Sequence, residues 1–176
     1  MTRFFPPGAV VIGVGLLVSA CTPTLNWREI QPEGGEVYAM FPCKPERFAR
    51  NLLLAGDTVN MQMSSCVVDG TTYAVAYASV SEPGKVEAGL SELQGAASRN
   101  LGSAPASSRP ASIPGMTPNP RAQRVQIDGR DREGRALTEH AVFFVKGTRL
   151  YQASVVGAKV DPDAADTFIA GLRFSP

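Results

Sequence analysis

The residues of this chain with side chains suited to chemistry are Cys21, Cys43 and Cys66, the single histidine His140, the pair Met61 and Met63, and the charged run Arg130-Asp131-Arg132-Glu133-Gly134-Arg135. A thiol can act as nucleophile, metal ligand, half of a disulfide or attachment point for a lipid. An imidazole can serve as general base. The spacing supports few of these uses. His140 adjoins Glu139 in a stretch with strand character, and strand neighbours point to opposite faces, so the two do not form a catalytic pair. His140 therefore reads as structural or exposed. Neither a Gly-Xaa-Ser-Xaa-Gly elbow nor a His-Glu-Xaa-Xaa-His helix motif occurs. Met61 and Met63 lack the further soft ligands that copper needs, and read as core. The run from Arg130 to Arg135 reads as a solvated hairpin tip. No catalytic, cofactor-binding or metal-binding residue is assigned.

The chemistry of Cys21 depends on what precedes it. Arg3 is the only basic residue before it, followed by the apolar run Ala9-Val10-Val11-Ile12-Gly13-Val14-Gly15-Leu16-Leu17-Val18 and the small residues Ser19 and Ala20. A positive end, a short apolar core and a small-residue cleavage site make a secretory signal peptide. The run is about half the length that a membrane-spanning helix requires. Pro6 and Pro7 would break a longer helix. The ending Val18-Ser19-Ala20-Cys21 resembles the bacterial lipoprotein lipobox. That resemblance implies cleavage before Cys21, a diacylglycerol on its thiol and acylation of the new amine. Several acyl chains anchor stably where one binds marginally. Thr22, where an Asp would favour inner-membrane retention, implies the outer membrane, with the protein facing the periplasm.

Of the 17 basic residues only Arg3 precedes Cys21, and the remaining 16 balance the 16 acidic ones. No basic block stands out, which argues against a nucleic-acid partner. With Cys21 lipidated, Cys43 and Cys66 remain in an oxidising compartment, where a disulfide is expected. A metal pair or a free reactive thiol is the alternative. A hairpin folded about Gly56 would set Cys66 opposite roughly Glu46, with Cys43 just beyond the open end.

The elements around these residues follow from periodicity. Residues 1–20 are the signal, 21–26 a tether and 27–176 one α+β domain. Strands are expected at Trp27–Ile30, Val37–Phe41, Arg47–Leu54, Thr58–Val68, Thr72–Val80, Arg124–Ile127, Ala136–Val145 and Arg149–Val156. In the fifth, Tyr73, Val75 and Tyr77 share one face and Ala74, Ala76 and Ala78 the other, leaving room for a close-packed helix. A helix capped by Ser81 with Pro83 in its first turn carries Val86, Leu90, Leu93, Ala97 and Leu101 at helical spacing and stops at Gly102. Asp161 and Pro162 start a second helix that buries Ala165, Phe168, Ile169 and Leu172. Asp128-Gly129 is expected to turn. Residues 103–120 carry five prolines and no apolar period, and read as a flexible loop.

This order resembles the Mog1/PsbP-like family. The residues that carry the resemblance are Phe41-Pro42, the helix from Val86 to Leu101, Val125-Gln126-Ile127-Asp128-Gly129, the run Val142 to Tyr151, and Ala165 to Phe174. The resemblance implies an antiparallel sheet of about six strands packed by two main helices. It also implies a binding or assembly role, and it carries over no catalytic residue. The function expected is a membrane-anchored binding, scaffold or assembly module with an envelope protein as partner. The alternative is a periplasmic, hydrolase-like enzyme. A deep polar pocket around His140 and carboxylates would favour the enzyme, and a shallow surface with an apolar patch the binding module.

Overall fold

A computed structural model describes residues 25–175. The lipobox resemblance and Cys21 lie outside the described residues. Among those described, ten strands and two α-helices form an α+β fold. The strands are β1 (Arg28–Ile30), β2 (Val37–Phe41), β3 (Glu46–Leu54), β4 (Asp57–Val68), β5 (Thr71–Ser79), β6 (Ser107–Pro110), β7 (Gln123–Arg130), β8 (Ala136–Lys146), β9 (Arg149–Gly157) and β10 (Arg173–Phe174). The helices are α1 (Val86–Leu101) and α2 (Pro162–Ala170). The main sheet has seven strands in the order β3-β4-β5-β9-β8-β7-β6, and a small sheet has the order β1-β2-β10. The main sheet has one strand more than the six expected, and the fold two more than the eight segments read from periodicity, because the two edge pieces, β6 and β10, are too short to show a period.

Turn chemistry sets the register. Leu54 pairs with Asp57, so a two-residue loop joins β3 to β4. Both of its residues, Ala55 and Gly56, have positive φ, the pattern of a turn whose twist matches the strands. Asp69 and Gly70 repeat the device between β4 and β5. Asp128-Gly129 does not turn. It lies inside β7, where Asp128 pairs with Thr138 and Gly129 with Leu137. A Cβ on Gly129 would run into the backbone of Leu101, so this glycine serves the close approach of the end of α1.

The main sheet separates two cores. On one face β2, α2 and β10 cover Tyr73, Val75, Phe144 and Tyr151. Phe41 and Tyr73 each meet Phe168 of α2 edge to face, at 5.3 and 5.5 Å between ring centres. The Asp161 carboxylate caps α2 by accepting from the Asp163 N–H, as its position before Pro162 predicts. On the other face α1 packs on β7, β8 and β9. Gly89 allows that approach, since a Cβ there would come within 2.6 Å of Leu150. Ser81 does not cap α1. The chain enters through a short tight turn at Pro83–Lys85, and the Ser81 N–H donates instead to Asp57.

Cys43 and Cys66 form the disulfide, with their Cα atoms 6.0 Å apart. Glu46 pairs with Ser65, so Cys66 lies one residue past the last pair of the β3–β4 hairpin. The bridge therefore ties the end of β2, in the small sheet, to β4 in the large one.

Residues 103–120 do not run as a featureless loop. Ser107–Pro110 pairs with β7 as an edge strand, and edges are where proline is tolerated. Ile113 is 6 % exposed and belongs to the α2-side core. The Thr117 N–H donates to the Val145 carbonyl at 2.8 Å, and the Phe174 N–H donates to that of Pro114 at 2.9 Å. A single buried isoleucine and backbone hydrogen bonds leave no periodic trace in the sequence, which explains the difference.

Candidate functional site: an apolar groove beside helix α1

Because α1 packs mainly on β7, β8 and β9, part of the same sheet face over β3, β4 and β5 is left open. Ala78 is buried under the helix as its small side chain predicts. Ala74 and Ala76 are not under the helix but line an open groove of about 670 Å³. The inner wall is α1, through Leu93, Ala96 and Ala97. The outer wall is the β3–β4 hairpin, through Phe48, Leu52, Met61 and Met63. The exposed large apolar side chains among the described residues are Phe48 at 48 %, Leu53 at 71 % and Val67 at 64 %, all on that hairpin. An apolar concavity of this size, with few polar groups, has the character of a ligand site.

The polar groups are placed at two levels. Gln152 and Ser154 of β9 lie on the floor, and Arg50, Glu92, Arg99 and Asn100 complete the lining. Beside the floor Glu139 is 5 % exposed and accepts a hydrogen bond from the Gln152 amide at 3.3 Å. Burial raises its carboxyl above the usual range, and the bond from Gln152 opposes this. At the rim, Glu92 accepts the Ala55 N–H at 2.9 Å, which fastens α1 to the turn of the outer wall. Arg50 and Arg99 enter no ion pair among the described residues.

The lip of the groove is held by charge as well. Lys85 donates to the Asp57 carboxylate at 2.6 Å. That bond, and the Ser81 N–H, hold Asp57 down at about 2. The hairpin turn and the start of α1 are thus joined at Asp57.

His140 lies on the opposite face of the sheet. It pairs across the ladder with Gln126 and lines a smaller, shallower cleft with Ser107, Ser108, Arg109, Arg124 and Asp166. Burial lowers its basicity, and the nearby Arg124 guanidinium lowers it further. Asp166 is ion-paired to Arg124, and the Ser108 hydroxyl is bonded to Gln123 at 3.0 Å. Serine, histidine and carboxylate thus line one cleft without a hydrogen-bonded relay among the described residues, and activation of a hydroxyl needs that relay.

Met61 and Met63 both line the groove, Met61 buried and Met63 half-buried. No group of three or more His, Cys, Asp or Glu side chains that could hold a metal ion occurs among the described residues. Residues 130–135 form the β7–β8 hairpin tip, where the Asp131 carboxylate accepts from the backbone of Glu133 and Arg135 and pairs with the Arg135 side chain. Sequence reasoning missed the groove. Its signal was available in Phe48 and Leu53, apolar residues of an edge strand, and in three alanines where a helix of sixteen residues covers only part of a sheet. Among the described residues no helix is long and apolar enough to cross a membrane. No protein-family model matches the chain, and no curated protein matches it.

Proposed function

We propose that this protein is a lipid-anchored, periplasm-facing binding module of Mog1/PsbP-like architecture, whose working surface is the groove between α1 and the β3–β4 hairpin. The observation that carries the reading is the groove itself, an open apolar concavity of about 670 Å³ built where α1 leaves part of a sheet face uncovered. The Mog1/PsbP-like assignment draws support from the layer order: one long helix, the antiparallel sheet, then a short C-terminal helix with the small sheet. Anchoring rests on the Val18-Ser19-Ala20-Cys21 ending. The small sheet and the first described residues, including Trp27, pack on the face opposite the groove. A tether leaving from that side would keep the groove open to the periplasm.

The test is binding of a neutral apolar dye, N-phenyl-1-naphthylamine, to the full chain carrying Cys21→Ser. Dye fluorescence should rise on binding, and Ala96→Trp, which fills the groove from the helix side, should abolish the rise while leaving the circular dichroism unchanged. A rise that survives Ala96→Trp overturns the groove as the working surface. The hydrolase-like alternative gains no support from the His140 cleft, where histidine and serine are not hydrogen-bonded to each other.

A further inference from the structure

Resting on the reading that the groove is the working surface, we infer that its ligand is a single-chain amphiphile with an anionic head, a carboxylate or a phosphate, held by Arg50 and Arg99. The shape and lining select the chain. The walls are aliphatic and thioether side chains, and Phe48 is the one aromatic among the lining residues, so a flat ring system finds no pair of faces to stack between. Met61 and Met63 add side chains that adapt to a flexible partner. The alanine floor leaves width for a chain to lie along the sheet beside α1.

The charges select the head. Arg50 enters the lining from β3 and Arg99 from α1, so the two cations belong to opposite walls of one groove. Neither is neutralised by an ion pair among the described residues. The acidic residue in the lining, Glu92, accepts the Ala55 N–H and keeps its charge, so the two guanidiniums leave the lining with a net positive charge. Guanidinium groups bind carboxylate and phosphate oxygens through paired N–H donors. An apolar trough with two free guanidiniums complements an acyl chain ending in an anion, and is mismatched to a cationic amphiphile.

Competition against N-phenyl-1-naphthylamine on the full chain carrying Cys21→Ser tests this, with every amphiphile kept below its micelle concentration. Dodecanoate should displace the dye, whereas dodecyltrimethylammonium should not. Lyso-phosphatidylglycerol, run beside dodecanoate, distinguishes a lipid headgroup from a free fatty acid as the source of the anion, and the stronger competitor names the source. Arg50→Ala with Arg99→Ala should weaken the anionic competitor by roughly tenfold or more, the loss expected for charge-assisted hydrogen bonds, and leave the neutral dodecyl maltoside unchanged. Equal displacement by anionic and cationic amphiphiles overturns the role of the arginines. Retention of the dye against every amphiphile overturns the ligand class while leaving the groove as a binding surface. A sedimenting dimer that Ala96→Trp converts to monomer also overturns the ligand class, since the groove would then be filled by a second copy.

Discussion

The side-chain amide of Gln152 donates to the carboxyl of Glu139 at 3.3 Å, beside the floor of the groove. Gln152 faces the groove and Glu139 does not line it, so one hydrogen bond joins the binding surface to a buried acid.

Glu139 makes stability fall as pH rises. Its ordinary value of 4.5 is raised in the folded chain by burial. Between 4.5 and that raised value the folded state binds more protons than the unfolded one, so stability decreases upward through this window. Glu139→Gln removes the ionisation while keeping an acceptor for Gln152. Thermal melts should show the variant equal to wild type below the window and more stable above it. Parallel melting curves for the two proteins across the window would refute the assignment.

The Cys43–Cys66 bridge closes a separation of 23 residues and joins the two sheets. Chain-entropy arguments put its contribution at about 3 kcal/mol. Non-reduced peptide mapping of exported protein should recover the two cysteines in one linked pair, and reductant should lower the melting temperature. Two free thiols, with melting unaffected by reductant, would reopen the metal and redox uses of these residues.

Residues 103–120 should resist proteolysis. Ile113→Ala removes a buried side chain between α2 and the sheet and should cost about 2–4 kcal/mol. Chemical denaturation measures this. A cost below about 0.5 kcal/mol, the size of an ordinary surface substitution, would mean that the segment is not docked in solution.

Cys21 should carry lipid. Labelling with palmitate should mark the wild-type chain and not Cys21→Ser, and the labelled protein should fractionate with outer membranes. Equal labelling of both proteins would reject the anchor.

Local pattern made much of this fold legible. The tyrosine face of β5, the Asp161-Pro162 start of α2 and the helical spacing of Val86, Leu90, Leu93, Ala97 and Leu101 are each written in neighbouring residues, because strand alternation, capping and helix periodicity act over a few positions. The cysteine pair was legible for a related reason: a hairpin's register follows from its turn. The expected signal peptide and lipid anchor likewise come from residues 1–21 alone. What the sequence left open depends on how far one element extends over another. Whether Ala74 and Ala76 lie under a helix or floor a groove is decided by the path of α1, which Gly89 seats against Leu150 and Gly129 receives beside Leu101. Whether residues 103–120 stay loose or dock is decided by partners as distant as Val145 and Phe174. Those contacts form only when separate strands are brought together, so the cover of the sheet, and with it the site, belongs to the tertiary structure.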